Sequence, residues 1–235
     1  MAGDLMIILC LSLIFIISVW TIWLRYFYFF RAASYPESFK EGIVFSPAEG
    51  IVAYNKPLQK RKDILICKSD DFNGKRLFKI EQFLKEENYY QVGIFMTKYD
   101  NHHVCSSLQS KIQRIVCIGR NNDSPMMKFT DEFLSIFGIS FFNWINRAES
   151  YIHYNQQYVI EYENGVLVVI TMDKYVNKFD FEIKNDSENP YELGFVHRGS
   201  QTDIFIPESV YKSTEVVVGK RLSYKDIVFK LKESK

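Results

Sequence analysis

The chain opens on an apolar run, "LMIILCLSLIFIISVWTIWL" (Leu5–Leu24), without a single charge. At helical rise that length crosses a hydrocarbon core, so the pattern predicts one transmembrane helix. Beyond "RAASYPES" (31–38), a short linker, the apolar residues fall into short runs broken by turn residues, which predicts strands. "GIVFSPAEGIVAYN" reads as two strands around a turn at 47–50, and "DILICKS" (63–69), "YYQVGIFMT" (89–97) and "SKIQRIVCIG" (110–119) as three more. "YVIEY" and "VLVVITM" (158–172) flank "ENG", a hairpin signal. "KFDFEI", "ELGFVH", "TDIFIP", "TEVVVG" and "IVFKLK" complete the set. Strands that follow one another after a few residues predict a mainly β fold, a compact antiparallel barrel or sandwich with few helices behind one N-terminal transmembrane helix. One segment departs from this: "FTDEFLSIFGISFFNWIN" (129–146) reads as a helix capped by Thr130 or Asp131, either in the core or resting in a membrane interface.

The flanks of the apolar run decide how it is read. A cleaved signal peptide wants a basic start and small residues at its end, whereas "MAGD" is not basic and the run ends in "WLRYFYFFR". The expectation is an uncleaved anchor with Trp20, Trp23, Tyr26 and Tyr28 at the interface. Arg25, Arg31 and Lys40 follow it against Asp4 before it, which predicts a single-pass protein with its bulk on the cytoplasmic side. The division expected is 1–30 for the anchor and its interfacial flank and 31–235 for one domain.

A net charge of +1 gives no global field to draw in nucleic acid, so no such partner is expected. Cys10, Cys67, Cys105 and Cys117 form no CxxC pair, which fits a reducing compartment.

Three stretches hold candidate chemistry: "SPAEG" (46–50), "KYDNHHVCS" (98–106) and "HRGSQTD" (197–203). A reactive serine needs a base, and the base needs a group to orient it. Ser200, His102 and Glu49 could fill those roles; equally, Gly199-Ser200 could be an ordinary turn. A metal on His102, His103, Cys105 and Cys117 is a rival, but adjacent strand residues point to opposite faces, so no metal is expected. Cys105 as a thiol nucleophile is another rival.

Taken together and in order, these stretches resemble the phosphatidylserine decarboxylase family in its short, single-anchor form. "YFFRAASYP" is similar to the family's Phe-Phe-Arg-Asp-Pro segment, and "FSPAEGIV" to its Ser-Pro-Ala-Asp-Gly-x-Val motif. "IFMTKYDNHHV" resembles Ile-Phe-Met-Ser-Pro-x-Asn-Val-His-Val and aligns His102 with the family histidine. "GFVHRGSQTDIFIP" resembles Gly-x-Ile-x-Phe-Gly-Ser-Arg-Val-Asp-x-x-x-Pro.

The resemblance implies a pyruvoyl-dependent carboxy-lyase that turns phosphatidylserine into phosphatidylethanolamine and carbon dioxide. Ser200 would attack the Gly199 carbonyl, converting the amide to an ester. Elimination would then cut the chain between them and leave a dehydroalanine, which hydrolyses with loss of ammonia to a covalent pyruvate. That group would form a Schiff base with the serine headgroup. His102 would act as base and later as acid, with Glu49 orienting it. The two cleavage chains would stay associated at the membrane, with a phospholipid as substrate and a homo-oligomer left open. The chain departs from the family at Glu49, where aspartate is usual, and at Arg198 and Gln201 around Gly199-Ser200. In place of an Ala-Arg-Arg-Ile segment it offers Lys174 and Lys178, which with Arg198 are the candidates for substrate binding. These departures carry the alternative: an uncleaved, non-catalytic, membrane-anchored relative that binds lipid or a membrane partner.

Overall fold

The computed structural model describes residues 2–23, 27–28, 31–59, 80–97, 100–118, 156–172, 179–180, 192–196 and 200–232. The apolar run forms α1 (Ala2–Trp23), long and apolar enough to cross a membrane by length and composition. Two of its hydroxyls bond back inside the helix, Ser18 Oγ on Ile14 O and Thr21 Oγ1 on Ile17 O, both at 2.8 Å. A hydroxyl bonded back to its own helix asks less of an apolar surrounding.

Strands make up most of the remaining regular structure among the described residues. The elements are β1 (Ile43–Phe45), β2 (Gly50–Gln59), β3 (Asn88–Phe95), β4 (His103–Cys105), β5 (Ile112–Ile118), β6 (Gln157–Tyr162) and β7 (Leu167–Met172). They continue as β8 (Phe179–Asp180), β9 (Glu192–Val196), β10 (Ser200–Pro207), β11 (Tyr211–Thr214), β12 (Arg221–Leu222) and β13 (Ile227–Leu231). Every pairing is antiparallel. A seven-stranded sheet runs β12-β2-β3-β10-β7-β6-β5, beside two three-stranded sheets, β1-β13-β11 and β4-β9-β8.

The expected antiparallel β class is therefore found, but among the described residues the sheets are open and close no barrel. Among the described residues the large sheet ends on β12, which has two residues, and on β5, which exposes Gln113 and Arg114. Short and charged edges resist further pairing.

The two faces of the large sheet are buried against different partners. On one face Ile94, Ile170 and Ile204 share a core with Val44, Val104, Val196 and Phe229 of the smaller sheets. On the other, Tyr54, Phe95, Val169 and Phe205 pack with Ile80, Phe83 and Leu84 around a 3-10 turn at Ile80–Phe83. Burial on both faces is why "LVVITM" of β7 is apolar without alternation.

Several boundaries differ from expectation. "TEVVVG" is not a strand: only Thr214 belongs to β11, and Val217 and Val218 are exposed. The chain there crosses the β2–β3 bulge instead, with Val52 N–H donating to Lys220 O at 2.9 Å and Gly219 N–H to Val52 O at 2.8 Å. Gly219 turns at φ 89°, a conformation that favours glycine. The short β4, β11 and β12 were not expected as strands, since two to four residues carry too little periodicity. The strand expected at 63–69 and the helix expected at 129–146 lie outside the described residues.

Candidate active site

The "SPAEG" loop is fastened to the histidine stretch by main-chain bonds. Phe45 N–H donates to Ser107 O at 2.7 Å and Cys105 N–H to Pro47 O at 2.8 Å. Gly50 then lets β2 start hard against β3: a Cβ there would lie 2.4 Å from Phe95 O. The result delivers Glu49 to the residue before His102. Glu49 Oε2 accepts the Asn101 N–H at 3.0 Å and pairs with Arg31 Nη2 at 2.7 Å.

Asn101 is fully buried and uses its whole side chain. Its Nδ2 donates to Arg31 O at 2.8 Å, and its Oδ1 accepts the His103 N–H at 3.0 Å. The buried Tyr224 hydroxyl lies 3.1 Å from that Oδ1 and 2.9 Å from His103 O, so its one proton serves either. On the other side, Asp100 is bonded back to Thr97. Its Oδ2 accepts both the Thr97 N–H and Oγ1–H at 2.8 Å, and its Oδ1 takes Arg221.

His102 is thus held from both ends, and its ring is buried completely. Nε2 lies 2.8 Å from Thr97 O and Nδ1 lies 3.1 Å from Val196 O. Its own carbonyl accepts the Val196 N–H at 2.9 Å, which ties the histidine to β9 four residues before Ser200. Burial, above all, lowers the imidazole to about 4, with Arg31 and His103 adding to it against the two carbonyls. The ring is neutral at physiological pH.

His103, on β4, takes a different environment. Its Nδ1 lies 2.7 Å from Glu192 Oε1, its ring meets Phe195 edge-on at 4.9 Å, and Tyr35 donates to Glu192 Oε2 at 3.0 Å. The two histidines therefore do not share a ligand direction, and among the described residues no three His, Cys, Asp or Glu side chains are grouped to hold a metal. Cys105 is buried, and that burial pushes its thiol well up, away from the thiolate a nucleophile needs.

Ser200 is the first residue of β10, its main chain opposite Met172 of β7. The next residue, Gln201, is buried on a network that sequence reasoning missed. Its Nε2 donates to Tyr54 Oη at 2.6 Å and to Asp203 Oδ2 at 2.9 Å. Gln91 Nε2 and the Tyr54 hydroxyl both donate to Asp203 Oδ1. Gly93 makes room for the Tyr54 ring, since a Cβ there would lie 2.3 Å from it. Burial raises the Asp203 carboxyl to about 7 against its three donors. The one hint in sequence was an acid inside the apolar "TDIFIP". Gly199, Arg198, Lys174 and Lys178 lie outside the described residues.

The structure brings Glu49 and the His102 segment together and ties both, through Val196, to the strand that leads towards Ser200. The family model described as phosphatidylserine decarboxylase matches residues 24–227. No curated protein and no solved structure matches the chain. The family match takes in the Arg31 segment, the Glu49 loop, both histidines and Ser200 in one span, and with it the chain belongs to the phosphatidylserine decarboxylase family, a family of carboxy-lyases.

Proposed function

We propose that the chain cleaves itself between Gly199 and Ser200 and decarboxylates phosphatidylserine with the covalent pyruvoyl group so formed. The observation that carries this reading is the double tie between His102 and Val196, through carbonyl and ring, at the end of the strand preceding the cleavage position. A base of low pKa is neutral at pH 7 and can take the Ser200 hydroxyl proton as the oxygen attacks the Gly199 carbonyl. The shorter contact suits Nε2–H as donor to Thr97 O, which leaves Nδ1, on the Val196 side, as the basic nitrogen. Glu49 acts through the main chain of Asn101, fixing where the histidine stands.

The chain end that cleavage would create fits a covalent group of this kind. β10 is paired with β7 from Ser200 and with β3 from Gln201, and the Gln201 amide is anchored on Tyr54 and Asp203. The new terminus would be held from its second residue on. Such a group supplies a carbonyl that takes up the electron pair left as carbon dioxide departs. The piece from 200 onward contributes β10 to β13, bonded to β3, β7, β2 and β1, so both pieces would stay together.

α1 suits a single-pass anchor with the domain on the cytoplasmic side. Arg31 follows Trp23 by eight positions. Eight residues extend at most about 28 Å. The site is therefore tethered within reach of a membrane surface, where a phospholipid substrate is found.

One observation favours the uncleaved alternative: both ring nitrogens of His102 already face carbonyls, as a purely structural histidine's would. Intact-mass measurement beside a Ser200→Ala control separates the two. Two co-purifying chains, the smaller beginning at position 200 with a pyruvoyl mass and absent from the control, are expected, followed by release of carbon dioxide from phosphatidylserine. One intact chain in both samples would overturn the reading and leave the non-catalytic relative.

A further inference from the structure

Arg31 stands on the segment leaving α1, yet its bonds converge on the residue before His102. Its Nη2 pairs with Glu49 Oε2 at 2.7 Å, and its carbonyl accepts Asn101 Nδ2 at 2.8 Å. The same Glu49 oxygen accepts the Asn101 N–H at 3.0 Å. These three bonds close a ring through Arg31, Glu49 and Asn101. Arg31 is itself held from behind, with Nη1 donating to Tyr28 O at 3.0 Å and the guanidinium 4.0 Å over the Tyr28 ring. Lysine could not keep both arms, because the two contacts use different nitrogens of one planar fork.

We propose that Arg31 is a positioning residue for the self-cleavage reaction: it clamps Glu49 and Asn101 so that His102 is held against Val196, and so makes the segment behind the membrane helix part of the site. This rests on the self-cleavage reading above. It gives the Glu49 carboxylate a reason to bond the main chain of Asn101, the residue before His102.

The clamp also sets the charge around His102. The loop supplies Glu49, the segment after α1 Arg31, β4 His103 and β9 Glu192, while the Asp100 carboxylate is matched by Arg221 from β12. Arg31 and His103 both act on His102 against protonation. Removing the Arg31 cation takes away one such influence and leaves Glu49 without that partner, and both changes favour the imidazolium.

The test compares wild type, Arg31→Ala and Arg31→Lys as full chains in phospholipid nanodiscs. For Arg31→Ala, cleavage at pH 7 is expected to slow at least about 10-fold, as small misplacements of reacting groups do. The acid limb of its rate against pH should move to higher pH. Arg31→Lys should return the limb towards wild type while recovering only part of the rate. A role in folding alone would lower the melting temperature of Arg31→Ala and leave the limb in place, and that result would overturn the proposal. In parallel, the imidazole of His102 is titrated by NMR in Ser200→Ala with and without Arg31→Ala. A midpoint that rises supports the clamp even if wild type fails to cleave, which would then count against the cleavage reading alone. An unmoved midpoint overturns the clamp in either case.

Discussion

His102 has two carbonyls for one ring proton when neutral, so one lone pair faces an oxygen. Both carbonyls favour the imidazolium, and burial overrides them because no water reaches the ring. The cost of that choice falls on geometry, since the ring has little latitude between Thr97 and Val196. Glu49 sets the same limit one residue upstream. Shortening it to the aspartate usual in the family withdraws the carboxylate by about 1.5 Å, one carbon–carbon bond. In this chain Glu49→Asp should therefore pull away from the Asn101 N–H and slow self-cleavage about 100-fold rather than improve it. The half-time of the Ser200-dependent fragment measures this; cleavage as fast as wild type would refute the reach argument.

At the scale of elements, the site depends on how closely β2 is laid on β3. Gly50 allows the approach, and the register shift between Val52 and Tyr54 then turns the Tyr54 ring over Gly93. Gly50→Ala would force its Cβ against the Phe95 carbonyl, a main-chain atom of a central strand that cannot swing aside. We expect a loss of about 2 kcal/mol in urea unfolding, within the range for overpacking, and a parallel loss of cleavage because Glu49 is carried by the same strand start. A variant as stable as wild type would mean that β2 can lift without cost. The same two strands, with β10, carry the Asp203 network, so the residue after Ser200 is fixed by side chains from three strands at once.

For the whole molecule, His102 and Asp203 pull stability in opposite directions with pH. His102 titrates at about 4 when folded against an ordinary 6.5. Between those values the unfolded chain binds more protons, so stability falls as pH drops, by about 3 kcal/mol. Asp203 titrates at about 7 when folded against an ordinary 3.8. There the folded chain binds more protons, so stability is lost as pH rises through that window, by about 4 kcal/mol. The two contributions nearly cancel in wild type. Asp203→Asn removes one of them, and its urea midpoint should fall on going from pH 7 to pH 4.5 by clearly more than that of wild type. Parallel curves for the two proteins would refute the assignment.

The sequence by itself determined what local periodicity and motif order can carry: the apolar helix, the antiparallel strand class, most strand centres, and the family, since four motifs in order leave little to chance. Strand ends and pairings of two to four residues escaped it, because β4, β11 and β12 exist through partners distant in the chain. The "TEVVVG" segment failed for the same reason, its strand pattern giving way to a crossing over the β2–β3 bulge. Of the candidate site residues, Glu49, His102 and Ser200 were legible as residue types. That Glu49 bonds a neighbour's main chain, that Arg31, Asn101 and Tyr224 complete its surroundings, and that Asp203 lies buried against Gln201, Tyr54 and Gln91 were decided only by the fold. The physical reason is distance along the chain: Arg31, Glu49, Asn101 and Tyr224 meet through hydrogen bonds that span tens of residues, and no local pattern records which of many polar side chains a fold will bring together.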